Sequence, residues 1–513
     1  MKHTILSFIT IFLLVSCDNT TAFRETENEI SLLPHPKEIQ LQQKEVVLTT
    51  ASKLFSPHQE VYPLLELLSE EVALLTSIKP EITPTHSREA DIILELDPAL
   101  GEEDFQIDIQ GTVQVKGGSY HALTLAKTSL LQLVGEKEGQ LVFPVVSLKD
   151  QADASYRGLM IDLARKWHEM GTVKKLIDLA AFYKLNYVQL HFTDYQSYTL
   201  PSKAYPKLST PNRHYSFEEL AELEAYSQER GITIIPEIDV PGHSSPFVRM
   251  YPEIFALADT TENPYIINMG KEAAYEALDV LIGELTEVFQ ASPYFHIGGD
   301  EAMLTSVAQD PFVKAYVKEH GLGEDPHEIY RHFLVRMNEI VKKHGKQTCV
   351  WEGFTKEGEV QIPKDMLVFE FETNRYLPNE LVADGYTLVN TSWKPLYVVN
   401  KKKWEPKTIY EWNMWRWENW WDRAPSFEPI QLEVAPQVIG AQMCAWEQPE
   451  EAEIPSLRKR IPAFAERIWN TEQQITYEEL MKRMDALDQK LSLLIDDDRQ
   501  DSLLVGHNFE AGM

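Results

Sequence analysis

Eight short apolar runs, spread over the last two thirds of the chain, limit what it can fold into more than any other feature. They are 158–163, 187–192, 232–238, 294–297, 348–351, 366–371, 387–390 and 438–445. Runs this short and this continuously apolar suit strands covered on both faces. Several of the stretches between them carry helix ends. Ser216 and Glu219 form a capping box with Gly231 as a stop, and Ile329, Phe333, Met337, Ile340 and Val341 share a face that ends at Lys342, Lys343, His344 and Gly345. Strand-helix alternation calls for a parallel sheet, and about eight repeats over roughly 320 residues fit a (β/α)8 TIM barrel across 151–470. A doubly wound open sheet is the alternative. Polar residues at the carboxyl ends of many successive runs favour the barrel, whose mouth is built from such positions.

A chain of 513 residues has room for more than a barrel. Residues 31–150 predict a small α+β domain. Phe105 to Ile109 and Val113 to Val115 alternate around Gly111 as half-buried strands. Val61, Leu64, Leu65, Leu68, Val72 and Leu75 repeat at helical spacing, and a second helix follows Ser119. Within 471–513, Thr476 and Glu479 cap a last helix whose Leu480, Met484, Leu487, Leu491 and Leu494 form one stripe, expected to pack on the barrel's exterior. At the other end, Lys2 and His3 precede an apolar run from Ile5 to Val15, too short to span a membrane. The sequence Leu14-Val15-Ser16-Cys17 resembles a bacterial lipoprotein box, which makes 1–17 a signal peptide and Cys17 the lipidated residue. The polar stretch 18–30 reads as a linker from that anchor. The expectation is an exported protein, lipid-anchored in a bacterial cell envelope, with its domains in water.

Charge narrows the partners. With 48 Lys and Arg against 79 Asp and Glu, the net charge of −31 argues against nucleic acid. Cys349 and Cys444 have no CxxC neighbours and supply no metal or redox framework. Many of the tryptophans lie between Trp351 and Trp469, where they serve as core or as a platform for a sugar ring.

Chemistry concentrates at Tyr294-Phe295-His296-Ile297-Gly298-Gly299-Asp300-Glu301. Neighbouring acids on a regular strand point to opposite faces, so for both to share a pocket the chain must curve, which the two glycines permit. Other run ends add Arg157, Asp162 and Arg165, then His191 to Asp194, Pro236 to His243, Trp351-Glu352, Tyr397, Trp412 and Trp446. Any one of these is compatible with a structural role. Together they describe a carbohydrate pocket.

These motifs, with Ala465 to Trp469 and Leu33-Pro34-His35-Pro36 in the first domain, resemble those of family 20 glycoside hydrolases, the β-N-acetylhexosaminidases. The resemblance implies retaining hydrolysis without metal or cofactor, in which the substrate's 2-acetamido group attacks its own anomeric carbon. Glu301 would be the general acid and then base, and Asp300 would orient the acetamido group. Tyr397 would hydrogen-bond the acetamido oxygen, while Asp194 and His243 would form a relay behind Glu301. Trp351, Trp412 and Trp446 would wall the pocket, Arg157 would grip ring hydroxyls, and Gln448 would stand at the sugar's outer edge. The implied partners are glycans ending in β-linked N-acetylglucosamine or N-acetylgalactosamine.

Three positions depart from the family's pattern: Val399 and Gln448 replace commonly acidic residues, and Tyr195 replaces the second acid after His191. A buried valine accepts no hydrogen bond, so the departures bear on gluco/galacto preference. Rival readings are a relative releasing a disaccharide such as lacto-N-biose, a glycan-binding protein on a retired barrel, and a metal-dependent lyase.

Overall fold

The computed structural model describes residues 22–25, 30–48, 51–84, 90–261, 263–323, 325–400, 402–420 and 426–502. Cys17 and its signal segment lie outside them. Eight parallel strands close into a barrel: β1 Tyr156–Asp162, β2 Tyr187–His191, β3 Thr233–Glu237, β4 Tyr294–His296, β5 Gln347–Trp351, β6 Leu367–Glu370, β7 Thr387–Asn390 and β8 Val438–Trp446. Pairing of β8 with β1, from Tyr156 opposite Gly440 to Ile161 opposite Ala445, completes the ring. All eight coincide with the apolar runs, and the barrel is the fold expected from them. The short strand Tyr397–Val399 pairs in parallel with the end of β8 and brings Tyr397 to the mouth.

Alternation with helices breaks once. Residues 352–366, between β5 and β6, contain no helix. Elsewhere the expected ends appear, with the Ser216 capping box opening the helix Phe217–Glu229.

The first domain is a mixed nine-stranded sheet with helices Tyr62–Thr76 and Tyr120–Leu133. Phe105–Ile109 and Val113–Gly117 pair antiparallel around Gly111. Ser119 caps the second helix by accepting the Ala122 N–H at 3.1 Å. One correction concerns the expected linker: Ala22–Glu25 is a strand, paired antiparallel with Lys44 to Val47. Backbone pairing had no alternating signal to announce it.

The helix Tyr477–Ile495 also differs from expectation. It buries Leu480, Met484, Leu487 and Leu491 as foreseen, but touches the first domain as well as the barrel. Lys490 Nζ donates to the carbonyls of Leu131 at 3.1 Å, Gln132 at 2.7 Å and Val134 at 2.5 Å, satisfying the end of helix Tyr120–Leu133. Trp469 is fully buried in the first domain's core, its indole N–H donating to Asp150 at 2.9 Å.

Candidate active site

At the end of β4 the chain turns through Gly298 (φ +67°) and Gly299 (φ +102°). A Cβ on Gly298 would sit 1.8 Å from Asp239 Oδ1, so neither the torsion nor the space admits a side chain. Gly299 N–H donates to that same oxygen at 3.2 Å, and Tyr330 OH donates to the Gly299 carbonyl. The turn presents Asp300 and Glu301 to different surroundings: Asp300's side chain is 15% exposed and Glu301's is 56% exposed. Glu301 has φ +49°, a left-handed conformation uncommon outside glycine.

His243, from the loop after β3, faces both acids. Its Nε2 lies 3.4 Å from Glu301 Oε2 and 3.8 Å from Asp300 Oδ2, while its Nδ1 is 3.2 Å from Asp194 Oδ1. Asp194 is itself held by Arg165 Nη2 at 2.7 Å and by His191 Nε2 at 3.0 Å. His191 Nδ1 reaches Glu237 Oε2 at 2.9 Å, and the Trp351 indole N–H donates to Glu237 Oε1 at 2.8 Å. A further line crosses the barrel interior to the same carboxylate. Tyr156 OH donates to Gln442, Gln442 to Gln189 and Gln189 to Glu237, each at 2.8 Å.

Charges along this network are set by neighbours. Burial opposes a proton on His243, but Asp239, Asp194 and Glu301 overcome it and raise the imidazole's pKa. The hydrogen bond to His243 in turn holds Glu301 below its ordinary value. Burial pushes Asp300 up, with His243 pulling back and Glu301 adding to the rise. Asp239, buried and facing Asp300, is raised well above the usual carboxylate range. Among the described residues, His191, Glu237 and Asp239, and likewise Asp239, His243 and Asp300, bring donor atoms within 4.8 Å of one another. Both nitrogens of His191 and Nδ1 of His243 are already committed to carboxylates, which is the arrangement of a proton network.

Aromatic side chains enclose the space beyond Asp300. Trp351 is the floor, 1% exposed and 5.9 Å from Trp446 between ring centres. Tyr397 stands 6.1 Å from Trp446, 6.1 Å from Trp393 and 5.9 Å from Trp420. Three polar atoms around this space are buried without a hydrogen-bond partner: Asp300 Oδ1 and the indole nitrogens of Trp393 and Trp446.

Three expected site residues are elsewhere. Arg157 is at the amino end of β1, on the barrel's floor, where it pairs with Glu103 of the first domain at 2.7 Å and donates to the carbonyls of Ala154 and Lys184. Arg165, past the carboxyl end of the same strand, occupies the mouth and lies 4.8 Å over the Trp446 ring. Trp412 packs 6.3 Å from Phe464 on the barrel's outside, its N–H donated to the Arg416 carbonyl. Trp393 and Trp420 stand beside Tyr397 instead. Gln448 is 1% exposed, and its amide is spent on the carbonyls of Val398 and Trp446 and on Ser456 Oγ. It braces the Tyr397 strand from behind. Glu301, Asp300, His243, Asp194, Tyr397, Trp351 and Trp446 do converge.

Residues 155–472 match the catalytic-domain model of glycosyl hydrolase family 20, and residues 29–151 match that family's domain 2. The chain belongs to glycoside hydrolase family 20. Among curated relatives, the family 20 chain is 29% identical to a β-hexosaminidase of Vibrio furnissii over 67% of its own length and 60% of the relative's. It is 27% identical to β-hexosaminidase 3 of Arabidopsis thaliana, over 62% and 57% of the two chains. It thus spans under two thirds of these relatives' length. A Vibrio harveyi exo-β-N-acetylglucosaminidase solved with N-acetylglucosamine superposes with a TM-score of 0.77 at 24% identity, over 92% of this chain and 79% of that one. A Bacteroides fragilis β-N-acetylhexosaminidase gives 0.77 at 23% identity over 91% and 96%. At such identities the superpositions establish the fold.

Proposed function

We propose that this family 20 protein is an exo-acting, retaining β-N-acetylhexosaminidase that removes terminal β-linked N-acetylglucosamine or N-acetylgalactosamine from glycans. The observation that carries the reading is the placement of both acids on one side of the site, around a single imidazole nitrogen. Two carboxylates that share the work of a retaining glycosidase flank the scissile bond from opposite sides, about 5–5.5 Å apart. Asp300 and Glu301 lie together beside His243 Nε2, which suits one acid and one orienting partner, with the substrate's 2-acetamido oxygen as the nucleophile. Tyr397 and Asp300 hold that group, Asp300 accepting its N–H and balancing the positive charge that builds on the oxazoline-type intermediate. Trp351, Trp393 and Trp446 enclose the sugar, and Arg165 serves its hydroxyls. Glu301, open to solvent, protonates the departing oxygen and then deprotonates the incoming water.

Glu301 and His243 share the proton that the acid step needs. With His243 raised and Glu301 lowered, the pair keeps one proton to high pH, and seating the sugar shifts it toward Glu301 by excluding water. His243→Asn should therefore move the alkaline limb of kcat/KM toward acid. An unchanged profile would rule out the shared proton.

The decisive assay is aryl release from paired aryl β-N-acetylglucosaminide and β-N-acetylgalactosaminide, with Glu301→Gln as control. Activity that needs no added metal and a control reduced about 10²- to 10⁴-fold are the expected results. Release only from an aryl lacto-N-bioside would replace this reading with a disaccharide-releasing one, and binding without turnover would make the protein a lectin. Export and lipid anchoring at Cys17 belong to the same proposal. No helix among the described residues is long and apolar enough to cross a membrane. Incorporation of radiolabelled palmitate, lost in Cys17→Ser, is the expected result.

A further inference from the structure

Behind the Tyr397 strand three charged side chains are buried together. Asp501, from the segment past helix Tyr477–Ile495, lies 2.8 Å from Arg460 Nη1 and 3.7 Å from Lys403 Nζ, and the three are 4%, 0% and 7% exposed in that order. Arg460 opens the helix Arg460–Trp469, and Lys403 follows the Tyr397 strand by four residues. Burial lowers the pKa of both cations, and Asp501 is the foremost group opposing it. Removing that carboxylate would leave two buried cations side by side.

Two lines of hydrogen bonds run from this cluster to the aromatic wall of the site. In the first, Lys403 Nζ donates to Ser456 Oγ, which donates to Gln448 Oε1 at 3.0 Å, and Gln448 Nε2 donates to the carbonyls of Val398 at 3.1 Å and Trp446 at 3.0 Å. In the second, Arg460 Nε donates to the Trp404 carbonyl at 2.7 Å, and the Trp404 indole N–H donates to the Trp393 carbonyl at 3.2 Å. Arg460 Nη1 joins the two lines by donating to the Ser456 carbonyl at 2.6 Å.

We infer that Asp501, Arg460, Lys403 and Ser456 are positioning residues for the sugar pocket, fixing the backbone at Val398, Trp446 and Trp393 and so setting where Tyr397 and the two indoles meet the sugar. The inference rests on the hydrolase reading. The strand Tyr397–Val399 is three residues long and pairs on one side only, with the end of β8, so its own ladder holds it weakly. A brace from behind makes up the difference. Each line ends on a main-chain carbonyl of a wall residue or of the neighbour of Tyr397, which an ion pair serving general stability has no reason to do. A wall that drifts binds the sugar more weakly, and the loss appears in KM.

The test measures KM and kcat for wild type, Asp501→Asn, Asp501→Glu and Ser456→Ala, on whichever of aryl β-N-acetylglucosaminide and aryl β-N-acetylgalactosaminide the wild type cleaves better. Asp501→Asn should raise KM about fivefold, with Asp501→Glu recovering most of the loss, and Ser456→Ala, which cuts only the first line, should raise it about twofold. A merely structural role would lower the amount of folded enzyme, and with it the apparent kcat, at an unchanged KM. A thermal melt of each variant establishes that it is folded. An unchanged KM in Ser456→Ala and in folded Asp501→Asn would overturn the inference, and if Asp501→Asn does not fold, Ser456→Ala alone decides it. Turnover of neither substrate by the wild type would instead overturn the hydrolase reading and the inference with it.

Discussion

Arg157 and Arg165 leave the same strand eight positions apart, and both pair with carboxylates, but they belong to opposite ends of the barrel. At the floor, charges meet partners of opposite sign: Arg157 with Glu103 at 2.7 Å, and the buried Lys184 with Asp150 at 3.0 Å. At the mouth, carboxylates crowd one another. Glu352, Glu370 and Glu372 are all buried and all raised, first by burial, with Glu352 reaching about 8. The floor joins two domains, where paired charge is an adhesive. The mouth handles protons, and like charges forced together are what set pKa values apart from the ordinary.

Exchanging the roles of the two arginines is the sharpest way to break the comparison. Arg165→Met should lower kcat/KM on an aryl N-acetylhexosaminide about 10²-fold, by releasing Asp194 and the sugar's hydroxyls, with little change in melting temperature. Arg157→Met should do the reverse. It strands two carbonyls and takes from Glu103 the nearer of its cationic partners, costing about 2–3 kcal/mol in denaturant unfolding, while turnover per folded molecule stays within twofold. Burial opposes ionisation of Glu103, yet Arg157 and His121 hold its carboxyl down to about 2. That contributes stability above its ordinary value near 4.5, lost as pH falls toward 2, and the loss should shrink in Arg157→Met.

The smallest expected effect sharpens the mouth's side of the comparison. A carboxyl raised from 4.5 to about 8 favours the folded state while protonated, and its contribution is lost as pH rises through that interval. Glu352 Oε1 accepts the N–H groups of Arg375 and Tyr376, at 2.9 and 2.8 Å, a role that an amide oxygen can fill. Glu352→Gln should raise Tm by about 2–4 °C at pH 8 and leave it unchanged near pH 4.5. A rise of equal size at both pH values would show that protonation is not the cause.

The barrel was legible because strands covered on both faces must be apolar throughout, and polar residues at the carboxyl ends of many successive runs set it apart from a doubly wound sheet. The acids were legible because two glycines before two carboxylates are costly unless the backbone has to turn there. What misled was resemblance applied without direction. Arg157 and Arg165 bracket one strand, and only the carboxyl end of a barrel strand opens on the mouth, so strand direction alone selects Arg165. Trp412 failed for a related reason. Tryptophan serves equally on the inside and outside of a barrel, and after β7 the path of the chain is set by Lys394-Pro395 and short helices with no clear periodicity. Gln448 shows the third limit: nothing in a sequence reveals which atoms a buried amide has already spent.

Trp469 closes the core of the first domain by bonding to Asp150, a residue 319 positions earlier. During synthesis, therefore, the domain made first cannot finish until almost the last part of the chain has been released. Its half-built core stays exposed throughout production of the barrel. A nonsense mutation just before Trp469 would leave the catalytic residues on the fragment and yet take the closing side chain out of the first domain's core, so the fragment would carry the site without the finished fold beneath it.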